Sequence, residues 1–87
     1  MTREVVFTPR FDRVFRHLPK EIRERTYPKL ALYAESPSHP SLRVKPVKGA
    51  PAIWEMSISM SYRITFQVDG ERVLLRRIGT HDILRQP

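Results

Sequence analysis

The sequence predicts an α+β fold in which an N-terminal helical hairpin packs on one face of a small, twisted, mainly antiparallel β-sheet. Two patterns carry this prediction. Apolar residues recur at helical spacing between residues 11 and 34, and they alternate with polar residues between residues 42 and 78, as they do in strands. The chain has 87 residues and no cysteine, so we expect a single small domain over residues 1–87 without disulfide support.

The first half begins with a β-rich run over residues 4–8, which Pro9 ends. A first helix follows, because its apolar residues are spaced i, i+3, i+4 and i+7: Phe11, Val14, Phe15 and Leu18. Pro19 suits the first turn of a second helix, where its missing N–H costs nothing. Pro28 falls inside this second helix, and we expect it to kink or shorten the helix at a cost of about 3 kcal/mol. The expected buried stripe of the second helix is Ile22, Leu30, Tyr33 and Ala34.

The second half is typical of strands. Residues 42–45 alternate apolar and basic until Pro46, which ends the first of these strands. The alternation over residues 54–59 predicts a second strand with Trp54 in the core. Residues 62–68 and 73–78 are expected to form a hairpin, because Asp69-Gly70 suits a two-residue type I′ turn.

That turn fixes a predicted register. With Asp69-Gly70 at the centre, Arg63 lies opposite Arg76 on the face of the sheet away from the helices. Like charges directly across a ladder are destabilising by up to about 1 kcal/mol. The arrangement therefore needs an anion between the two arginines, or a neighbouring carboxylate that neutralises one of them.

Further cations are expected on the same face. Arg43 and Lys45 point there from their strand, and His81 lies at the rim, just past the last strand. Two interpretations stand at this point. The face is either a cationic surface that binds a phosphate backbone, or a solvated surface with a Glu55–Arg63 salt bridge.

The overall charge favours a polyanionic or acidic partner. Sixteen Lys and Arg residues face nine Asp and Glu residues, for a formal net charge of +7. No apolar run reaches signal-peptide length or the roughly 20 residues of a membrane span, so we expect a cytoplasmic protein with no membrane partner. Three scattered histidines without cysteine argue against a metal site, and we predict neither a metal nor a cofactor.

Five segments together carry a family resemblance. They are FDRVFRHLPKEIRERTYPKLALY, ESPSHPSL, RVKPVKG, WEMSISMSYRITFQV and VLLRRIGTHDIL. In this order and spacing, from Phe11 onwards, the chain resembles the RelE/ParE superfamily of toxins from type II toxin–antitoxin systems. Within it the chain is more similar to the RelE/YafQ-like branch of messenger-RNA endonucleases. The family fold agrees with the α+β prediction.

The resemblance implies a metal-independent, ribosome-dependent endoribonuclease that leaves a 2′,3′-cyclic phosphate. Carried over by position, His81 and Arg63 are the implied catalytic residues. The resemblance places Lys45 and Lys48 among RNA-contacting or catalytic groups, and the predicted cationic face adds Arg43 and Arg76, so the predicted RNA-binding residues are Arg43, Lys45, Lys48 and Arg76. The implied partners are a cognate antitoxin, the ribosome and messenger RNA, with operator DNA bound only together with the antitoxin.

Two other function classes stay open. One is a ParE-like toxin that binds DNA gyrase and cuts nothing, although that branch generally lacks the Gly-Thr-His ending. The other is a non-catalytic RNA- or antitoxin-binding module. Its support is that the YafQ-like branch has further histidine and aspartate residues on the central strands, where this chain has Ser57 and Ser61.

Overall fold

The computed structural model describes residues 3–87 and contains two α-helices and a five-stranded sheet. In chain order the elements are β1 (Glu4–Phe7), α1 (Pro9–Phe15), α2 (Lys20–Glu35), β2 (Lys45–Pro46), β3 (Trp54–Ser57), β4 (Arg63–Asp69) and β5 (Arg72–Gly79). Two short 3₁₀ helices, Pro40–Leu42 and His81–Arg85, follow α2 and β5. The predicted α+β class and its helical hairpin are confirmed. Within residues 3–87, no helix has the length and apolar character needed to cross a membrane.

The sheet has the strand order β1-β5-β4-β3-β2. Only β1 and β5 run parallel; the other neighbouring strands of the described sheet are antiparallel. The predicted mainly antiparallel sheet is therefore correct. Its edges are β1 and the two-residue strand β2.

The chain passes directly from β1 into α1 through Thr8. The Thr8 hydroxyl accepts a hydrogen bond from the Phe11 amide at 3.3 Å and donates one to the Leu75 carbonyl at 2.6 Å. Thr8 thus caps α1 and ties its start to β5. Pro9, which was predicted only to end the strand, also opens the helix, where its missing N–H costs no hydrogen bond.

Helix α2 continues for 16 residues through Pro28, so the expected shortening is wrong. The proline ring itself is exposed. Beyond it, Leu30, Tyr33 and Ala34 are buried. Packing of this last part of α2 on the sheet offsets the missing backbone hydrogen bond.

The core lies between the helical hairpin and one face of the sheet. The apolar side chains that are fully buried come from α1, the short 3₁₀ helix after α2, and the three central strands. They are Phe11, Leu42, Met56, Ile64, Phe66, Val73 and Leu75. The opposite face of the sheet is partly covered by the second 3₁₀ helix and otherwise contacts solvent.

Two strand predictions are wrong. Leu42 ends a 3₁₀ helix, and Arg43 has a left-handed backbone with φ of 49°, so the predicted strand over residues 42–45 begins only at Lys45. Trp54 was expected in the core but is 38% exposed. It pairs with Pro46 of the two-residue edge strand, which is too short to cover the indole ring.

The turn between β4 and β5 is displaced by one residue from its predicted place. Asp69 pairs with Arg72, so the central residues are Gly70 and Glu71. Gly70 has φ of +61° and Glu71 does not have positive φ. This is the pattern of a type II′ turn, with glycine at the first central position.

A bulge then changes the pairing of the arginines. Phe66 pairs with Leu75, but Thr65 pairs with Arg77, which leaves Arg76 as the extra residue of β5. Arg63 consequently pairs with Gly79. The predicted Arg63–Arg76 pair is wrong, and the like-charge repulsion expected from it does not arise.

Candidate active site

The C-terminal segment lies over the outer face of the sheet. Ile83 of the second 3₁₀ helix is buried. The Pro87 carbonyl oxygen accepts hydrogen bonds from the Thr65 hydroxyl at 2.9 Å and from Arg76 Nε at 3.1 Å. The outer face is therefore partly covered, and the segment forms one wall of a cleft.

Gly79 allows this segment to come close. A Cβ atom at Gly79 would lie 2.7 Å from Ile83 Cγ2, closer than real side chains approach. Ile83 can pack there only because position 79 lacks a side chain. The glycine of the Gly-Thr-His stretch thus sets the position of the helix that begins at His81.

A cleft of about 420 Å³ opens between the β2 region and this 3₁₀ helix. We call it the cationic cleft. Its ionisable lining residues are Lys45 and Lys48 on one side, His81 on the other, and Glu55. Lys45, Lys48 and His81 are exposed, whereas Glu55 is only 4% exposed.

Glu55 connects the cleft to Arg63. Its carboxylate lies 3.5 Å from Arg63 Nε, and Arg63 also donates a hydrogen bond from a terminal guanidinium nitrogen to the Ser57 hydroxyl at 3.0 Å. The Arg63 side chain keeps 21% of its surface exposed. The Glu55–Arg63 salt bridge anticipated from the sequence is present, and it is far less solvated than a surface pair.

The structure brings together three of the predicted site residues and separates two others. Lys45, Lys48 and His81 share the cationic cleft, and Arg63 adjoins it through Glu55. Arg43 lies apart, in a hollow that it shares with Lys29 and Ser57. Arg76 instead hydrogen-bonds Gln67 and the Pro87 carbonyl.

Glu55 is the cleft residue that sequence reasoning did not assign to the site. The signal was available, because Glu55 alternates with buried Met56 and pairs with Lys45 across the β2–β3 ladder. What the sequence did not reveal is that the loop carrying Lys48 folds back toward Glu55. Across residues 3–87, no three His, Asp or Glu side chains form a group that could hold a metal ion.

Solved structures with a similar arrangement of elements include a toxin and an antitoxin–toxin complex. A mutant of Escherichia coli toxin RelE in the free state is 24% identical with a TM-score of 0.75, covering 99% of this chain and 93% of that one. The RelB–RelE antitoxin–toxin complex of Methanococcus jannaschii gives 23% identity and a TM-score of 0.73, with coverages of 93% and 95%. YafQ from E. coli gives 11% identity and a TM-score of 0.76, with coverages of 94% and 97%.

The chain has the RelE/ParE superfamily fold. The family resemblance stated from the sequence motifs is thereby confirmed at the level of the fold. No family model and no curated protein sequence matches the chain. In this chain the C-terminal segment and the basic β2 region lie beside each other, and these two segments carry His81 and the two lysines.

Proposed function

We propose that this protein is the toxin of a type II toxin–antitoxin pair and that it cleaves messenger RNA on the ribosome. The cationic cleft is the observation that carries the proposal. It combines two lysines, an imidazole and a buried carboxylate in a space of about 420 Å³ on a RelE-like fold. Lysines attract the phosphate backbone, and the other two groups are of the kind that transfer protons.

The proposed reaction is an intramolecular displacement at phosphorus. The ribose 2′-oxygen loses its proton and forms a bond to the adjacent phosphorus, and the bond from phosphorus to the 5′-oxygen breaks. The leaving 5′-oxygen gains a proton. The products are a 2′,3′-cyclic phosphate and a free 5′-hydroxyl, with no water consumed and no metal required.

His81 and Glu55 are the groups that suit the two proton transfers. His81 carries an imidazole, the side chain that most often serves as a general acid or base in catalysis. Glu55 lines the same cleft, and a carboxylate can accept the 2′-hydroxyl proton directly or through water. This second group supplies what Ser57 and Ser61 cannot.

Lys45, Lys48 and Arg63 suit the charge that builds on the phosphorane. The two lysines are exposed and line the cleft. Arg63 keeps part of its guanidinium accessible while Glu55 and Ser57 hold its orientation. A cation whose orientation is fixed before substrate arrives stabilises developing charge without further reorganisation.

The proposed partners follow from the same fold. RelB–RelE complexes are among the similar structures, and a chain of net charge +7 suits an acidic antitoxin. We propose that the antitoxin inhibits the toxin in the cytoplasm and that the pair together binds its operator DNA. Co-expression with the neighbouring antitoxin gene is expected to restore growth, and failure of the two proteins to co-purify contradicts the pairing.

Induced expression in growing bacteria tests the activity. We expect growth arrest together with new messenger-RNA 5′ ends, mapped by primer extension. His81→Ala is expected to abolish both effects. His17→Ala is the matched control, since His17 is an exposed histidine outside the cleft, and it should remain toxic. Growth arrest with intact messenger RNA would point to a gyrase-type target instead.

Ribosome dependence is tested with one messenger RNA in the presence and absence of programmed ribosomes at matched salt. Cleavage is expected only with ribosomes, because they position the 2′-hydroxyl for attack. Equal rates with and without ribosomes would contradict the dependence.

A non-catalytic RNA-binding module is the second candidate. The observation that favours it is the Glu55–Arg63 ion pair, because a carboxylate that neutralises the arginine also weakens its hold on phosphate. In that case the protein binds single-stranded RNA but leaves messenger-RNA ends unchanged in induced cells. His81→Ala would then leave its effect on growth unaltered.

A further inference from the structure

A second hollow of about 350 Å³ lies beside the cationic cleft and has a different chemistry. We call it the apolar hollow. All of its lining residues have apolar side chains or are glycine, and Trp54 contributes an indole that is 38% exposed. The hollow and the cleft share Pro46 and Val47 as a common wall.

The two spaces lie on opposite sides of the sheet edge. Trp54 pairs with Pro46 while Glu55 pairs with Lys45, and successive strand residues point to opposite faces. β2 is the outermost strand of the sheet, and within residues 3–87 no further strand lies beyond it to block the passage around this edge. A flexible polymer bound in the cleft can therefore pass around this edge into the hollow.

The hollow is formed by a loop with its own hydrogen bonds. The Val47 amide donates to the Ile53 carbonyl at 2.9 Å, and the Ile53 and Ala50 amides donate to the Ala50 and Val47 carbonyls at 3.2 Å. Ala52 has a left-handed backbone with φ of 66°. Little ordering of this loop is needed when a ligand enters, which favours binding.

We infer that the apolar hollow takes an unstacked nucleobase of the RNA strand whose phosphates occupy the cationic cleft. The inference rests on the proposed function. A nucleotide joins an anionic phosphate to a flat base. In this protein a cleft lined by lysines adjoins a hollow lined by an exposed indole. Single-stranded RNA is commonly recognised by stacking splayed bases on aromatic side chains.

The chain offers a direct optical test, because Trp54 is its only tryptophan. A short 2′-O-methyl oligonucleotide, which cannot be cleaved, is titrated into the full-length protein at low salt while Trp54 fluorescence and oligonucleotide anisotropy are recorded. Stacking should quench the indole. An abasic oligonucleotide of equal length and charge should bind the cleft without quenching.

Two variants separate stacking from simple apolar contact. Trp54→Leu should weaken binding of the base-containing oligonucleotide by about 5- to 150-fold, the range for losing one stacked base. Trp54→Phe should keep most of the affinity, and neither variant should alter binding of the abasic strand. If Trp54→Leu does not fold, the comparison of Trp54 quenching by the base-containing and abasic oligonucleotides in the unmodified protein still tests the base site.

The outcomes distinguish this inference from the proposed function. Intact messenger RNA in cells together with base-dependent quenching would refute the endonuclease and support the base site. Equal quenching by both oligonucleotides, no binding of either, or full affinity in Trp54→Leu would overturn the base site. A fluorescence change produced by the antitoxin and by no oligonucleotide would assign the hollow to a protein partner and also overturn it.

Discussion

Glu55 and Arg63 form an ion pair that we expect to stabilise the fold, and both residues also belong to the proposed active site. Arg63→Ala leaves the buried Glu55 carboxylate without its cation. We expect the free energy of unfolding to fall by about 1–3 kcal/mol, the usual cost of leaving a buried polar or charged group without its partner. Urea unfolding followed by circular dichroism measures it. The 21% exposure of the Arg63 side chain favours the lower part of that range.

Arg43→Ala is the control for this residue-scale prediction, because Arg43 is an exposed arginine outside the strand ladder. It should change stability by no more than about 0.5 kcal/mol. The double variant Glu55→Gln/Arg63→Ala should recover part of the loss, with a coupling of about 0.5–3 kcal/mol. Equal costs for Arg63→Ala and Arg43→Ala would mean that the pair does not stabilise the fold.

Tyr33, a buried core residue, should make the stability of the protein depend on pH in the alkaline range. Burial raises the pKa of Tyr33 above its ordinary value of 10.0, and the nearby Arg3 opposes part of that rise. The unfolded chain therefore loses this proton first as the pH increases, so the contribution of Tyr33 to stability is complete below pH 10 and is lost as the pH rises through the folded-state pKa. The unfolding free energy of the parent protein, taken relative to that of Tyr33→Phe, should be constant below pH 10 and should fall above it. A difference that is constant throughout would refute the assignment.

Among the elements, the final 3₁₀ helix depends most on one glycine. A methyl group in Gly79→Ala would lie 2.7 Å from Ile83 Cγ2 and should push the helix from the sheet. We expect a loss of about 1–3 kcal/mol in stability and a fall in RNA cleavage, because His81 begins that helix. Ile83→Ala removes the clashing atom, so adding Gly79→Ala to it should cost much less than Gly79→Ala alone costs. Additive losses in thermal or urea unfolding would show that the contact does not position the helix.

The elements also show where sequence patterns suffice and where they do not. Alternation identified β3, β4 and β5 because each buries one face, and the fold class followed from them. The displaced turn could not be read from the pattern, since it moves the pairing of β4 with β5 by two residues and leaves the same side chains on each face. The bulge at Arg76 does leave a trace, because the buried residues of β5 are Val73, Leu75 and then Ile78, a spacing of three instead of two. The cleft likewise depends on Gly79 and the C-terminal segment, whose position is set by tertiary contacts such as that of Thr65 with the Pro87 carbonyl.

At the scale of the whole molecule, the question is whether the net charge of +7 acts as a diffuse field or through the cationic cleft. Lys45→Ala/Lys48→Ala and Lys29→Ala/Arg43→Ala each remove two positive charges, so they shift the diffuse field equally. The first pair lines the cleft, and the second pair lines a separate hollow. Because the charge loss is matched, a difference in RNA affinity or in its salt dependence between the two double variants shows which surface the phosphates contact.

We expect the log of the RNA association constant to fall linearly with the log of salt concentration, since each neutralised phosphate releases counterions. The cleft variant Lys45→Ala/Lys48→Ala should flatten this slope by about 1.4, from about 0.7 per single-strand contact. The matched variant Lys29→Ala/Arg43→Ala should leave the slope nearly unchanged. Fluorescence anisotropy of a labelled 2′-O-methyl oligonucleotide at several salt concentrations gives all three slopes. Equal flattening in both variants would mean that RNA follows the overall field of the protein, and the cleft would then have no special part in binding it.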